Sequence, residues 1–203
     1  MKLRYSPTSP YVRKVMVLAL ETGLEGKLEK VETSVAPTQF NAEVAKENPL
    51  VKVPALVLDN GESLFDSPVI CEYLDSLHGG TKLFPPAGPA RWTALRRQAL
   101  ADGILDAAIL TRYESIRPDP FKWPDWMDAQ MIKVRTALAA FEAEADKLGT
   151  TVDIGTITLG CALGYLDFRY ASEGWRAKHP KLAKWYEVFS ARPSMTATAL
   201  PKP

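Results

Sequence analysis

The stretch GGTKLFPPAGP, residues 79–89, constrains this chain more than any other feature. Its three glycines relax the backbone and its three prolines remove hydrogen-bond donors, so neither a helix nor a strand runs through it. The fold must therefore be assembled from the residues before 79 and the residues after 88. The two sides differ in pattern. Before the seam, short apolar runs alternate with helical periodicity; after it, the periodicity is helical almost throughout. At 203 residues the chain is long enough for two domains, 1–78 and 89–203, with 79–88 as the linker.

The first part parses from Lys2. KLRY reads as a strand, and a helix from Pro10 to about Thr22 comes next, with Val12, Val15, Met16, Ala19 and Leu20 on one face and Gly23 as its stop. LEKVETS (28–34) reads as a second strand, PTQFNAEVAKEN (37–48) as an irregular helix or loop, and VPALVL (53–58) as a third strand. DNG (59–61) marks a hairpin in which Asn60-Gly61 is expected to supply the positive φ of a tight turn, and ESLF (62–65) returns. DSPVICEYLDSLHGG then opens a helix with the stripe Val69, Ile70, Tyr73, Leu74 and Leu77. Strands joined through a helix run parallel and strands joined by a tight turn run antiparallel, so the predicted sheet is mixed and four-stranded. The second part is predicted all-helical, with helices near 90–115, 125–148, 153–171 and 180–191.

Charge and cysteine usage narrow the partners. The 25 basic and 24 acidic side chains nearly cancel, so no basic surface for nucleic acid or an anionic membrane is expected. The N-terminus lacks the apolar core of a signal peptide, and no apolar run approaches the roughly 20 residues of a membrane span. Cys71 and Cys161 lie far apart inside apolar helical patterns, which suits free thiols in a reducing compartment, the cytoplasm. Neither His78 nor His179 has the neighbours of a metal site, and no metal is expected.

Three short motifs carry chemistry. In SPTSP, Ser9 precedes Pro10 at a helix start; it can cap the helix, or its hydroxyl can donate to an anion such as a thiolate. In NPLVKVPAL (48–56), a proline at the mouth of a strand is either an ordinary edge residue or a cis Pro54 that frees the Val53 main chain to pair with an extended peptide. In DSP, Asp66 and Ser67 either cap a helix or receive the ammonium and carboxylate of a zwitterionic head group.

In order and spacing, NPLVKVPALV, the hairpin and LFDSPVICEYL resemble the glutathione-binding signature of the soluble glutathione transferases. SPYVRKV and GCALGYLDFR are most similar to bacterial, serine-type members, and the resemblance spans the whole chain. It implies a thioredoxin-like first domain, an all-helical second domain, glutathione as co-substrate and a homodimer. Ser9 matches the active-site serine that would steady the glutathione thiolate, with Thr8 and Tyr5 as alternates; Tyr5 ends the strand that carries the catalytic tyrosine in tyrosine-type members. Val53 would pair its backbone with the cysteinyl part, beside a cis Pro54, while Asp66 and Ser67 would hold the γ-glutamyl end and Lys52 the glycyl carboxylate. The electrophile pocket would be lined by Tyr11, Arg112 and Tyr113, with Trp123 and Trp126 in the core or an interface. The reaction implied is attack of the thiolate on a small electrophile. The alternatives are glutathione-dependent isomerisation, dehalogenation or peroxide reduction, or a non-catalytic glutathione-binding or protein-interacting module. The first loop lacks the cysteine of oxidoreductase-type members, so mixed-disulfide chemistry is not expected. In TTVDIGTITLG, Asp153 caps a helix and Thr156 stands three residues on, a swapped order of the family's folding box. Gly160 and Gly164, one turn apart, are expected to admit a close helix contact.

Overall fold

The computed structural model describes residues 1–201. Strands β1 (Lys2–Tyr5), β2 (Glu29–Glu32), β3 (Ala55–Val57) and β4 (Ser63–Leu64) form one sheet in the order β2-β1-β3-β4. β1 and β2 flank helix α1 (Pro10–Glu21) and run parallel, whereas β3 is antiparallel to both β1 and β4. Helices α2 (Ala42–Glu47) and α3 (Ser67–Ser76) complete this thioredoxin-like half. The second half is helical: α4 (Gly88–Ser115), α5 (Pro124–Glu144), α6 (Ile154–Arg169), α7 (Trp175–Lys178), α8 (Pro180–Ser190) and α9 (Pro193–Ala197).

α6 is the axis of the helical half, buried from Ile154 to Leu166. Its start is the reciprocal box expected from the sequence: Thr156 N–H donates to the Asp153 carboxylate and Asp153 N–H to the Thr156 hydroxyl, both at 2.9 Å. Its glycines are where neighbours press closest. A methyl at Gly160 would meet the Phe189 ring at 2.8 Å, and one at Gly164 would collide with the Arg13 guanidinium.

Several expectations are corrected. Of Asn60-Gly61, only Gly61 takes positive φ (88°); Asn60 instead accepts the Glu62 N–H on its side chain at 3.0 Å, and the loop closes between Leu58 and Glu62. Of the two places expected for Trp123, the core is excluded, since the residue is 61% exposed; its main-chain N–H donates to the Glu114 carboxylate at 2.9 Å. The seam is no slack tether. The N–H groups of Leu83 and Phe84 donate to the buried Asp75 carboxylate at 2.9 and 3.1 Å, and the Leu83 carbonyl accepts from Ile154 at 2.9 Å. His78 joins the same carboxylate at 2.9 Å, and α4 begins at Gly88, inside the expected linker.

The two halves meet along α1. Lys14, fully buried, reaches both oxygens of Asp102 on α4 at 2.7 and 2.8 Å. Arg13 donates to the Met195 carbonyl in α9 at 3.1 Å, and Glu21 receives Arg192 at 3.0 and 2.8 Å.

Candidate glutathione site

Strand register brings the three motifs to one end of the sheet. Arg4, near the end of β1, pairs with Ala55 at the start of β3, and Leu56 pairs with Leu64 at the end of β4. The loop after β1, the Val53–Pro54 dipeptide before β3 and Phe65–Ser67 after β4 therefore emerge side by side.

Each offers groups that the fold leaves unused. The Val53–Pro54 bond is cis, and among the described residues neither the N–H nor the C=O of Val53 makes a hydrogen bond. The loop that presents it is built on Asn48, whose buried amide donates to the Lys52 carbonyl and accepts from the Leu50 N–H, both at 3.0 Å. Asp66 precedes α3 with an exposed carboxylate that has no partner among the described residues. The Ser67 hydroxyl, in a residue only 2% exposed, also bonds to nothing there. The first helical bond of α3 is made by Ile70, to the Asp66 carbonyl at 3.0 Å, so the Ser67 and Val69 N–H groups stay open. Lys52 stands exposed beside them.

Ser9 resolves its two readings into one. Its Oγ accepts the Val12 N–H at 3.3 Å, which caps α1. That bond uses a lone pair and leaves the hydroxyl proton free to donate, so cap and anion partner are compatible roles of the same oxygen. Thr8 is half-buried one residue earlier. Tyr5 packs against the core and lines a cavity of about 110 Å³ with Ser6, Pro7, Ser9, Arg13 and Thr198.

Tyr11, expected at the electrophile pocket, has its hydroxyl turned to the helical half. Its hydroxyl is committed to Asp106 of α4, and burial together with that bond pushes its pKa far up, so it stays a neutral phenol. The same contact orients the site. Tyr11 meets Asp106 while Lys14 meets Asp102, so α1 and α4 run antiparallel, and Ser9 lies toward the last turns of α4. Arg112, half-buried, and Tyr113, 37% exposed, are on those turns. Neither cysteine can serve as a nucleophile: both are fully buried, and burial raises the thiols to about 12 for Cys71 and about 11 for Cys161. Among the described residues no group of three or more His, Cys, Asp and Glu could hold a metal ion.

The sequence reading missed Asp102, Asp106 and Lys14. The signal was present: two carboxylates one turn apart amid Ala101, Ile104, Leu105 and Ala108, and a lysine between Val12 and Val15 in an apolar helix. Charges placed there must find each other.

Known proteins are similar to this chain in sequence and fold. The model of the glutathione S-transferase N-terminal domain matches residues 8–77 and that of the C-terminal domain residues 124–187. An uncharacterized GST-like protein, YibF, of Escherichia coli (strain K12) is 36% identical over 208 residues, covering 100% of both chains. A glutathione transferase family member from Pseudomonas fluorescens Pf-5, solved with bound glutathione, is 49% identical with a TM-score of 0.96 over 98% of each chain. A second structure of a family member from that strain, with bound S-(propanoic acid)-glutathione, has the same identity and a TM-score of 0.91 over 99% of this chain and 100% of that one. Sequence and fold agree, and the chain belongs to the glutathione transferase family.

Proposed function

We propose that the protein is a catalytic glutathione transferase that binds glutathione along Val53, Asp66 and Ser67 and presents its thiolate to a small electrophile from the Ser9 hydroxyl. The observation that carries the reading is the order of the unused groups. A carboxylate and a helix start suit the γ-glutamyl zwitterion, an open main-chain pair suits the cysteinyl peptide, and a hydroxyl with a free proton suits the sulfur. Lys52 adds a cation for the glycyl carboxylate. Glutathione and an S-substituted glutathione in relatives 49% identical support the same ligand here.

The chemistry needed is modest. A free thiol has a pKa near 8.5 and is only a few per cent ionised at pH 7. A hydroxyl donor and the start of α1, each on the order of 1 kcal/mol, raise the thiolate population roughly tenfold. Attack on the electrophile then needs no further activation by the protein. The same reading takes the protein as a homodimer in the cytoplasm. Val69 on α3 and Trp92 on α4 expose 46% and 68% of their surface, and both cysteines are free thiols.

Steady-state turnover of glutathione with an activated aryl halide tests the assignment. Ser9→Ala lowers kcat by about tenfold or more, while Thr8→Ala and Tyr5→Phe stay within about twofold of the parent. An unchanged rate in Ser9→Ala removes Ser9 from the role. Calorimetric binding of glutathione without turnover of any electrophile replaces the enzyme with a binding module.

A further inference from the structure

Most arginines of this chain hold a carboxylate; among the described residues Arg112 and Arg169 do not. Arg112, in the last turn of α4, reaches the Ser115 hydroxyl at 3.4 Å and no acid. Arg169 closes α6 with its guanidinium 3.9 Å from the centre of the Phe168 ring. Arg13, the other exception, is buried against the Met195 carbonyl and belongs to the fold. The acids nearest in sequence are all engaged: Glu114 by Arg117, Asp167 by Arg176, Glu173 by Arg135 and Asp106 by the Tyr11 hydroxyl.

The fold fastens together the helix ends that carry these two cations. The Tyr170 hydroxyl donates to the Ala108 carbonyl at 2.6 Å, which fastens the end of α6 to α4 one turn before Arg112. Tyr165, one turn before Arg169, lies between them; burial raises its pKa, and the positive charges of Arg169 and Arg112 oppose that rise. The antiparallel run of α1 on α4 sets Ser9 at this same end. Phe168 and Tyr165, edge to face with ring centroids 6.4 Å apart, supply an aromatic wall.

We propose that Arg112 and Arg169 form a carboxylate-binding subsite for the second substrate, so that this protein selects electrophiles carrying a carboxylate. The proposal rests on the glutathione-transferase reading and gives its substrate class. A planar guanidinium matches a carboxylate through two parallel hydrogen bonds, and two such groups left without anions beside an aromatic wall favour one between them. An α,β-unsaturated acid is the simplest substrate that fits. The thiolate sulfur bonds to the β-carbon, the C=C electron pair moves to the α-carbon, and that carbon takes a proton from water. Nothing leaves, and the product is a thioether of glutathione with a free carboxylate.

Calorimetry on the full-length protein separates this proposal from the reading beneath it. The probes are glutathione, S-(2-carboxyethyl)glutathione and its neutral counterpart S-(2-carbamoylethyl)glutathione. The unaltered protein is expected to bind the acid conjugate about tenfold more tightly than the amide. Arg112→Gln with Arg169→Gln abolishes that preference and leaves glutathione affinity within about twofold; Arg169→Gln alone, at an exposed position, loses part of it. Equal binding of the two conjugates by the unaltered protein, or a preference that survives the double substitution, overturns the subsite. Binding of none of the three probes overturns the glutathione reading itself, and the subsite with it.

Discussion

Ser9 and Val51 show what single positions ask of the backbone around the site. A Ser-Pro pair at a helix start reads as a cap, and the cap is there; the role proposed for Ser9 draws on the hydroxyl proton that the cap leaves over. Val51 is the opposite case. It stands at φ 54°, the left-handed region that a β-branched residue avoids, between Asn48 and Lys52 in the loop that presents Val53. That conformation costs an L-residue roughly 1–2 kcal/mol, and glycine avoids it at a smaller entropic cost. Val51→Gly is therefore expected to raise Tm by about 2 °C in a thermal melt; a lower Tm would mean that the Val51 side chain contributes more to the loop than its backbone costs. The buried thiols set a limit at high pH. In the folded chain Cys71 and Cys161 ionise only near 12 and 11, whereas in the unfolded chain they do so near 8.5. Their contribution is complete below about pH 8.5 and is lost as pH rises toward those folded values, so Tm should fall between pH 8 and pH 10.5. A thiol reagent at pH 8 should label neither cysteine until the protein is denatured.

Helix pairs carry the next level, and here the sequence was legible unevenly. Long periodic helices such as α4, α5 and α6, and the order of strands around α1, can be read directly from apolar spacing. α7 and α9, of 4 and 5 residues, are too short to show a period, and the hairpin differs because an asparagine side chain can do the work of a left-handed backbone. Ser9, Pro54, Asp66 and Ser67 stand out in the sequence because cap and turn chemistry is local, whereas their part in holding glutathione comes from the family resemblance and belongs to the proposed function. Lys14–Asp102 and Tyr11–Asp106 could not be marked in advance, since each pair forms only when α1 docks on α4. The first of these is a strong constraint. Lys14→Met leaves the Asp102 carboxylate buried without its counter-ion and should cost about 3–5 kcal/mol in denaturant melts, whereas Lys14→Met with Asp102→Leu should recover most of it. A single substitution as mild as the pair would mean that water reaches Asp102.

For the whole molecule, the exposed apolar surface of α3 and α4 decides the oligomeric expectation. Arg91 on α4 bridges to Glu72 on α3 at 2.8 Å, which holds Trp92 close to the exposed face of α3 that carries Val69. Light scattering behind size exclusion should give twice the 22.4 kDa of one chain, and Trp92→Glu should shift it toward one; a monomer in the unaltered protein would rule the dimer out. The segment between the halves bears on how such a protein can be changed. Asp75 grips the backbone of Leu83 and Phe84 from one side and Ile154 holds the Leu83 carbonyl from the other, so the crossing strand is riveted to both partners. A gene fusion that joins this first half to a foreign helical half at residues 79–88 would break one rivet or the other. Chimaeras that keep Asp75 and residues 82–84 together with the loop before Ile154 should express as folded, soluble protein, and those cut at the prolines alone should not.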